Sequence, residues 1–163
     1  MKIGRMLKHL FAPPAERLFG ADSLERIAQA IASNERRHSG EVCFAVESAL
    51  PWQAALRGVD ARSQALAAFS RLSVWDTAAN NGVLLYLLLA DRDDLHVADR
   101  AIHRKVGEQG WEAICQRMEA AFRDGRYVEG VVAGIREISA LLAEHFPGDA
   151  SDPDEIPNKP TVL

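Results

Sequence analysis

Between Leu24 and Phe146 the apolar residues fall into runs whose periods separate helices from strands. Leu24, Ile27, Ala28 and Ile31 recur at helical spacing, with Asp22 or Ser23 placed to cap the helix and Gly40 to close it. Val42-Cys-Phe-Ala-Val46 is a continuous apolar run after a glycine, the pattern of a strand covered on both faces. Asp60 predicts the cap of a second helix that buries Leu66, Phe69 and Leu72. The run from Gly82 to Ala90 is short between its turn signals and predicts the central strand. Asp91-Arg-Asp-Asp94 has hairpin length, and Leu95 to Asp99 alternates as a third strand. Trp111, Ile114, Cys115, Met118 and Phe122 then form one helical stripe. Val128, Val131, Val132, Ile135, Ile138, Leu142 and Phe146 form another, with Gly125 as the break. Both stripes read as core. The expected fold is α/β, a small mixed β-sheet sandwiched between helices in the order α-β-α-β-β-α-α.

The two ends differ from this body. Lys2, Arg5, Lys8 and His9 interrupt the apolar residues of the first eleven positions, so no signal-peptide core of about 7–15 residues forms there. These positions instead spell a short basic amphipathic helix that ends at Pro13 and Pro14. Such a helix lies on a membrane or folds onto the domain, and the second is the reading preferred. The longest uncharged apolar run, Val83 to Ala90, is far short of the roughly 20 residues of a membrane span. Pro147 to Leu163 holds four of the seven prolines together with Asp149, Asp152, Asp154 and Glu155. It reads as an extended acidic tail, strapped over the domain through Ile156, Val162 and Leu163. The expected organisation is a helical lead segment over 1–21, the α/β domain over 22–147 and the tail over 148–163.

Composition narrows the function classes. The chain has 163 residues, 48% hydrophobic and 26% charged, which fits one globular domain. A net charge of −4 gives no broad electrostatic footprint for nucleic acid. Two cysteines, Cys43 and Cys115, cannot build a disulfide framework and suggest a reducing, cytoplasmic compartment. The five histidines lack metal-ligand spacing, which argues against zinc, and no phosphate loop or nucleophile elbow appears.

Strand direction supplies the candidate chemistry. Strands one and two, joined through a helix, are expected to be parallel; strands two and three, joined by a short loop, antiparallel. One edge of the sheet then gathers Glu41, Asp76, Asn80, Asn81 and Asp99, while Glu47, Asp91, Asp93 and Asp94 fall at the opposite edge. Carboxylate and amide oxygens from separate segments suit a hard cation, calcium or magnesium. The rival reading is that Asp and Asn bond local backbone in turns and that Asp99 caps the next helix. Arg100 with Arg104 and Lys105, and Arg36 with Arg37 and His38, form basic clusters near this edge. Either holds a phosphate beside a metal, Arg100 being the candidate clamp, or is a solvated helix face.

At this point the residues resemble a known family. Trp75-Asp-Thr-Ala-Ala-Asn-Asn-Gly-Val-Leu-Leu-Tyr86, followed by Val97-Ala-Asp-Arg-Ala-Ile-His103, is similar to the core of the TPM domain family. Glu35-(five residues)-Glu41-Val-(three residues)-Val46 resembles its first strand. Trp111, the Arg123-Asp-Gly segment and Gly130-(three residues)-Gly134-Ile resemble its C-terminal half, and Phe146-Pro with Asn158-Lys-Pro resembles its soluble bacterial branch. The likeness spans roughly Leu24 to Pro160. It implies an α/β sandwich and a divalent-cation site on Asp76, Asn80, Asn81 and Asp99, with Glu41 joining them. Family members include phosphatases and non-enzymatic accessory factors of membrane complexes. Many carry a signal peptide and a membrane helix, which this sequence is expected to lack. Two functions follow as expectations: a cation-binding accessory or protein-interaction module, and a metal-dependent phosphatase acting on phosphate esters.

Overall fold

In the computed structural model, residues 2–91, 93–98, 100–148 and 153–163 are described. Seven helices and four strands follow one another along them. The first half comprises α1 (Lys2–Leu10), α2 (Ala15–Leu18), α3 (Ala21–Glu35), β1 (Glu41–Glu47), α4 (Trp52–Arg57) and α5 (Ala61–Arg71). The second comprises β2 (Gly82–Leu88), β3 (Asp93–Ala98), α6 (Arg100–Arg123), α7 (Tyr127–His145) and β4 (Thr161–Val162).

The strands form one mixed sheet in the order β3-β2-β1-β4. β1 runs parallel to β2 from Glu41↔Gly82 to Glu47↔Leu88, and β3 returns antiparallel, pairing Ala98 with Val83. The α/β sandwich expected from periodicity is therefore the observed fold. Alternation along the strands divides the core in two, because successive side chains point to opposite faces. Val42, Phe44, Val46, Val83, Leu85 and Leu87 meet α3, α6 and α7. Cys43, Ala45, Leu84, Tyr86 and Leu88 meet α5 on the other side.

Several local expectations are corrected. Leu66 is exposed, because α5 buries Ala61, Ala65, Ala68 and Phe69 instead. That alanine stripe lets the helix lie close to the sheet, and Leu66 falls on its flank. Asp60 does cap α5, its carboxylate accepting from Ser63 N at 2.7 Å. Helix α3 starts from Gly20 rather than from a cap at Asp22 or Ser23 and ends at Glu35, before Gly40. Asp22 lies in its first turn, where the helix dipole favours a carboxylate. Gly40 serves packing: a Cβ there would collide with Leu142 and approach the Asn81 carbonyl. Helices α2 and α4 escape the periodicity because each is under two turns long. Gly125 is the break expected between α6 and α7. At φ 75° it takes the left-handed conformation that ends a helix at low cost, and Arg126 N donates back to Ala121 O.

The tail is strapped across the sheet. Val162 pairs with Val46, Leu163 N donates to Val46 O, and Ile156 is buried in the α5-side core. No helix among the described residues is long and apolar enough to cross a membrane.

Candidate metal centre

The parallel register puts Glu41, first residue of β1, beside Gly82, first residue of β2. The antiparallel partner of Val83 is Ala98, so the end of β3 reaches this same edge. Asp99, the next residue, lies outside the described residues. Its pairing with Asp76, on which the sequence-based site depended, lies outside them too. Asp76 and Asn80 are exposed in the turn before β2, and Asn81 is fully buried. Asn80 has a positive φ of 52°, a conformation asparagine tolerates better than most residues. Its carbonyl accepts from Ala101 N, tying the turn to the start of α6. The Asn81 amide nitrogen donates to Ser39 Oγ at 3.4 Å, and its Oδ1 is buried with no hydrogen-bond partner among the described residues.

Glu41 is where the sequence-based edge and the observed acidic cluster meet. Glu35 at the end of α3, Glu41 at the start of β1 and Asp154 in the tail bring one carboxylate oxygen each within 4.8 Å of one another. Glu41 is buried, Glu35 partly exposed and Asp154 exposed. The tail backbone closes over Glu41: Glu155 N donates to its Oε1 at 3.0 Å and Ile156 N to its Oε2 at 3.3 Å. Glu155 in turn accepts from Ala78 N, so body, turn and tail converge at one place.

The electrostatics follow from burial. Desolvation, then the neighbouring charge of Glu41, pushes the Glu35 carboxyl up to about 7. Desolvation also lifts Glu41 to about 7, opposed by the tail N–H donors and reinforced by Asp154. Hydrogen bonds from Asn158 and the Val42 backbone oppose the rise at Glu35, while its Oε1 is buried with no hydrogen-bond partner among the described residues. An oxygen-only cluster with an unsatisfied carboxylate oxygen and two reluctant anions fits a divalent cation, whose charge would stabilise all three ionised forms.

The signal for Glu35 lies in the Glu35-(five residues)-Glu41 spacing, which sets both carboxylates at one edge of the sheet. Asp154 gave no comparable signal, because an acidic tail reads as solvated until its backbone is seen to fold onto Glu41.

The basic clusters separate. Arg100 and Arg104 line a cleft of about 370 Å³ with Trp75, Asn80 and Ala101. Lys105 turns away, donating to His145 O and lying over the Phe146 ring. His38 is buried, its Nδ1 bonded to Gly40 O at 2.9 Å, so it belongs to no solvated cluster with Arg36 and Arg37. Cys43 is a buried thiol that desolvation pushes up to about 12, which fits its reading as inert.

No curated protein matches this sequence. Among solved structures, the NMR structure of the BA42 protein from the psychrophilic bacterium Bizionia argentinensis is similar, with a TM-score of 0.79 and 27% identity. The match covers 89% of this chain and 95% of that one. The TPM domain model matches residues 15–141, which hold β1, β2, β3 and the turn from Trp75 to Asn81. With most of its length covered by that model, the chain belongs to the TPM domain family.

Proposed function

We propose that this TPM domain binds a divalent cation, calcium in preference to magnesium, and acts as an accessory module that engages another protein. The observation that carries this reading is the convergence of Glu35, Glu41 and Asp154 within 4.8 Å. The donors come from a helix end, a strand start and a loop, an irregular shell that calcium tolerates better than magnesium does. A cation held there joins the tail to the body, because Asp154 belongs to one and both glutamates to the other. The tail surface offered to a partner then depends on the ion, in a cytoplasmic setting consistent with two thiols.

The cleft of Arg100 and Arg104 supports a second reading, hydrolysis of a phosphate ester, in which the guanidinium groups hold the phosphoryl oxygens. A bound cation would supply charge stabilisation to such a reaction.

Calorimetric titration of calcium and magnesium into chelator-treated protein tests the site. Saturable calcium binding is expected in wild type, weakened at least about tenfold in Glu35→Gln and Glu41→Gln and retained in Asp76→Ala. Loss in Asp76→Ala with binding retained in the glutamate variants would move the ion to the expected site of Asp76, Asn80, Asn81 and Asp99. A generic phosphate ester decides the role. Cation-dependent turnover lost in Arg100→Ala would favour the phosphatase, and cation binding without turnover the module.

A further inference from the structure

Helix α1 docks on the domain the wrong way round for a helix that completes a core. Its polar side makes the contacts. Arg5 pairs with Asp91 through Nε and Nη2 and donates from Nη1 to Val59 O at 2.8 Å. His9 is buried, accepting from Leu50 N at Nδ1 while its Nε2 lies 3.3 Å from Asp91 Oδ1. Leu50 and Val59 flank the two ends of α4, so α1 lies antiparallel along that helix. The leucines of α1 face outward. Leu7, Leu10 and Phe11 are 46%, 69% and 77% exposed, beside Trp52 at 63% and Leu56 at 42% on α4. Amphipathic helices of globular domains do the reverse, burying the apolar stripe.

We infer that the α1–α4 face is a docking surface for an anionic lipid bilayer, entered by Leu7, Leu10, Phe11, Trp52 and Leu56 with α1 lying flat in the interface. Charge selects this occupant. Residues 1–15 carry Lys2, Arg5 and Lys8, and residues 48–59 carry Arg57, while all 23 acidic residues of the chain lie elsewhere. Lys8 and Arg57 are exposed. Among the described residues, Asp91 near Arg5 is held in the ion pair and Asp60 in the cap of α5. Among the described residues of these two segments, the exposed side chains thus include cations and large apolar groups and no carboxylate. A second copy is the poorer occupant, because a two-fold contact would bring one basic face against an identical basic face. Trp and Phe at the headgroup level with flanking cations is the composition that interfacial helices use.

Flotation of the full chain with lipid vesicles tests this. Binding is expected to vesicles of phosphatidylcholine with about 30% phosphatidylglycerol, whose negative surface attracts the exposed cations, and not to phosphatidylcholine alone. Raising salt to about 0.5 M should weaken it, since exposed charges are screened. Leu10→Glu/Phe11→Glu should abolish binding, and Lys8→Glu should lower it about tenfold. Both alter exposed positions, and circular dichroism verifies their fold. Equal binding to both vesicle types would overturn the charge argument. So would absence of flotation at about 1 mM lipid, the range where weak interfacial helices bind. A wild-type dimer in sedimentation equilibrium that Leu10→Glu/Phe11→Glu dissociates would assign the face to a second copy instead.

Discussion

Glu41 stands at the first position of β1, its carboxylate accepting two N–H groups from the tail while facing the charges of Glu35 and Asp154. Those donors stabilise its ionised form, yet burial outweighs them, and both glutamates end near 7 against an ordinary 4.5. In the chelator-treated protein this sets a pH dependence. A carboxyl raised in the folded state contributes stability that is complete below about 4.5 and lost as pH climbs through about 7. One unit corresponds to about 1.4 kcal/mol, so the rise of the buried Glu41 alone amounts to roughly 3 kcal/mol. His38 acts oppositely below its ordinary 6.5, because burial holds the folded imidazole neutral. The measurement is therefore the difference between wild type and Glu41→Gln in thermal midpoint from pH 5 to 8. Wild type should lose about 6–12 °C relative to the variant over that span. An unchanged difference would mean that neither carboxyl resists ionisation.

At the scale of elements, the sheet edge depends on how closely the turn before β2 approaches the strand. A Cβ on Gly82 would collide with the Val74 carbonyl oxygen, a backbone atom that cannot rotate away. Gly82→Ala should therefore destabilise the fold by about 2–3 kcal/mol, in the range of overpacking, measured by urea denaturation. A loss below about 0.5 kcal/mol would show that the turn yields easily. The same edge shows what periodicity can and cannot convey. The strands and both long helices were readable because their apolar residues are large and their periods distinct, as in Val83 to Leu88 and Val131 to Leu142. Strand order followed from connection length alone. Helix α5 is only half legible from periodicity, since its buried face is mostly alanine, which contrasts weakly with the exposed Leu66. For the site, Glu41 was reached by direction and Glu35 lies within a short spacing of it, whereas Asp154 required knowing that chain segments 114 and more residues apart share hydrogen bonds. Nothing in a local pattern encodes such a meeting.

The whole molecule is closed by its last residues. Ile156 fills the core between the sheet and α5, β4 extends the sheet beside β1, and Asp154 and Glu155 meet the body at Glu35, Glu41 and Ala78. The structural role of Ile156 and the proposed ligand role of Asp154 thus sit two residues apart in one strap and can be separated by substitution. Ile156→Ala should cost about 2–4 kcal/mol, the cost of emptying a buried aliphatic site, while leaving Asp154 in the chain. Asp154→Asn alters an exposed side chain and should leave the metal-free thermal midpoint nearly unchanged. Calcium should raise the midpoint of wild type, because a ligand bound only by the folded state stabilises it by mass action. That rise should vanish in Asp154→Asn and persist from a lower baseline in Ile156→Ala. The opposite pattern, a full calcium response in Asp154→Asn, would take the tail out of the ion's shell and leave it a purely structural clasp. A response lost in both would mean that the strap must be seated before the glutamates can hold an ion, coupling the fold of the last eleven residues, 153–163, to the binding of metal by the body.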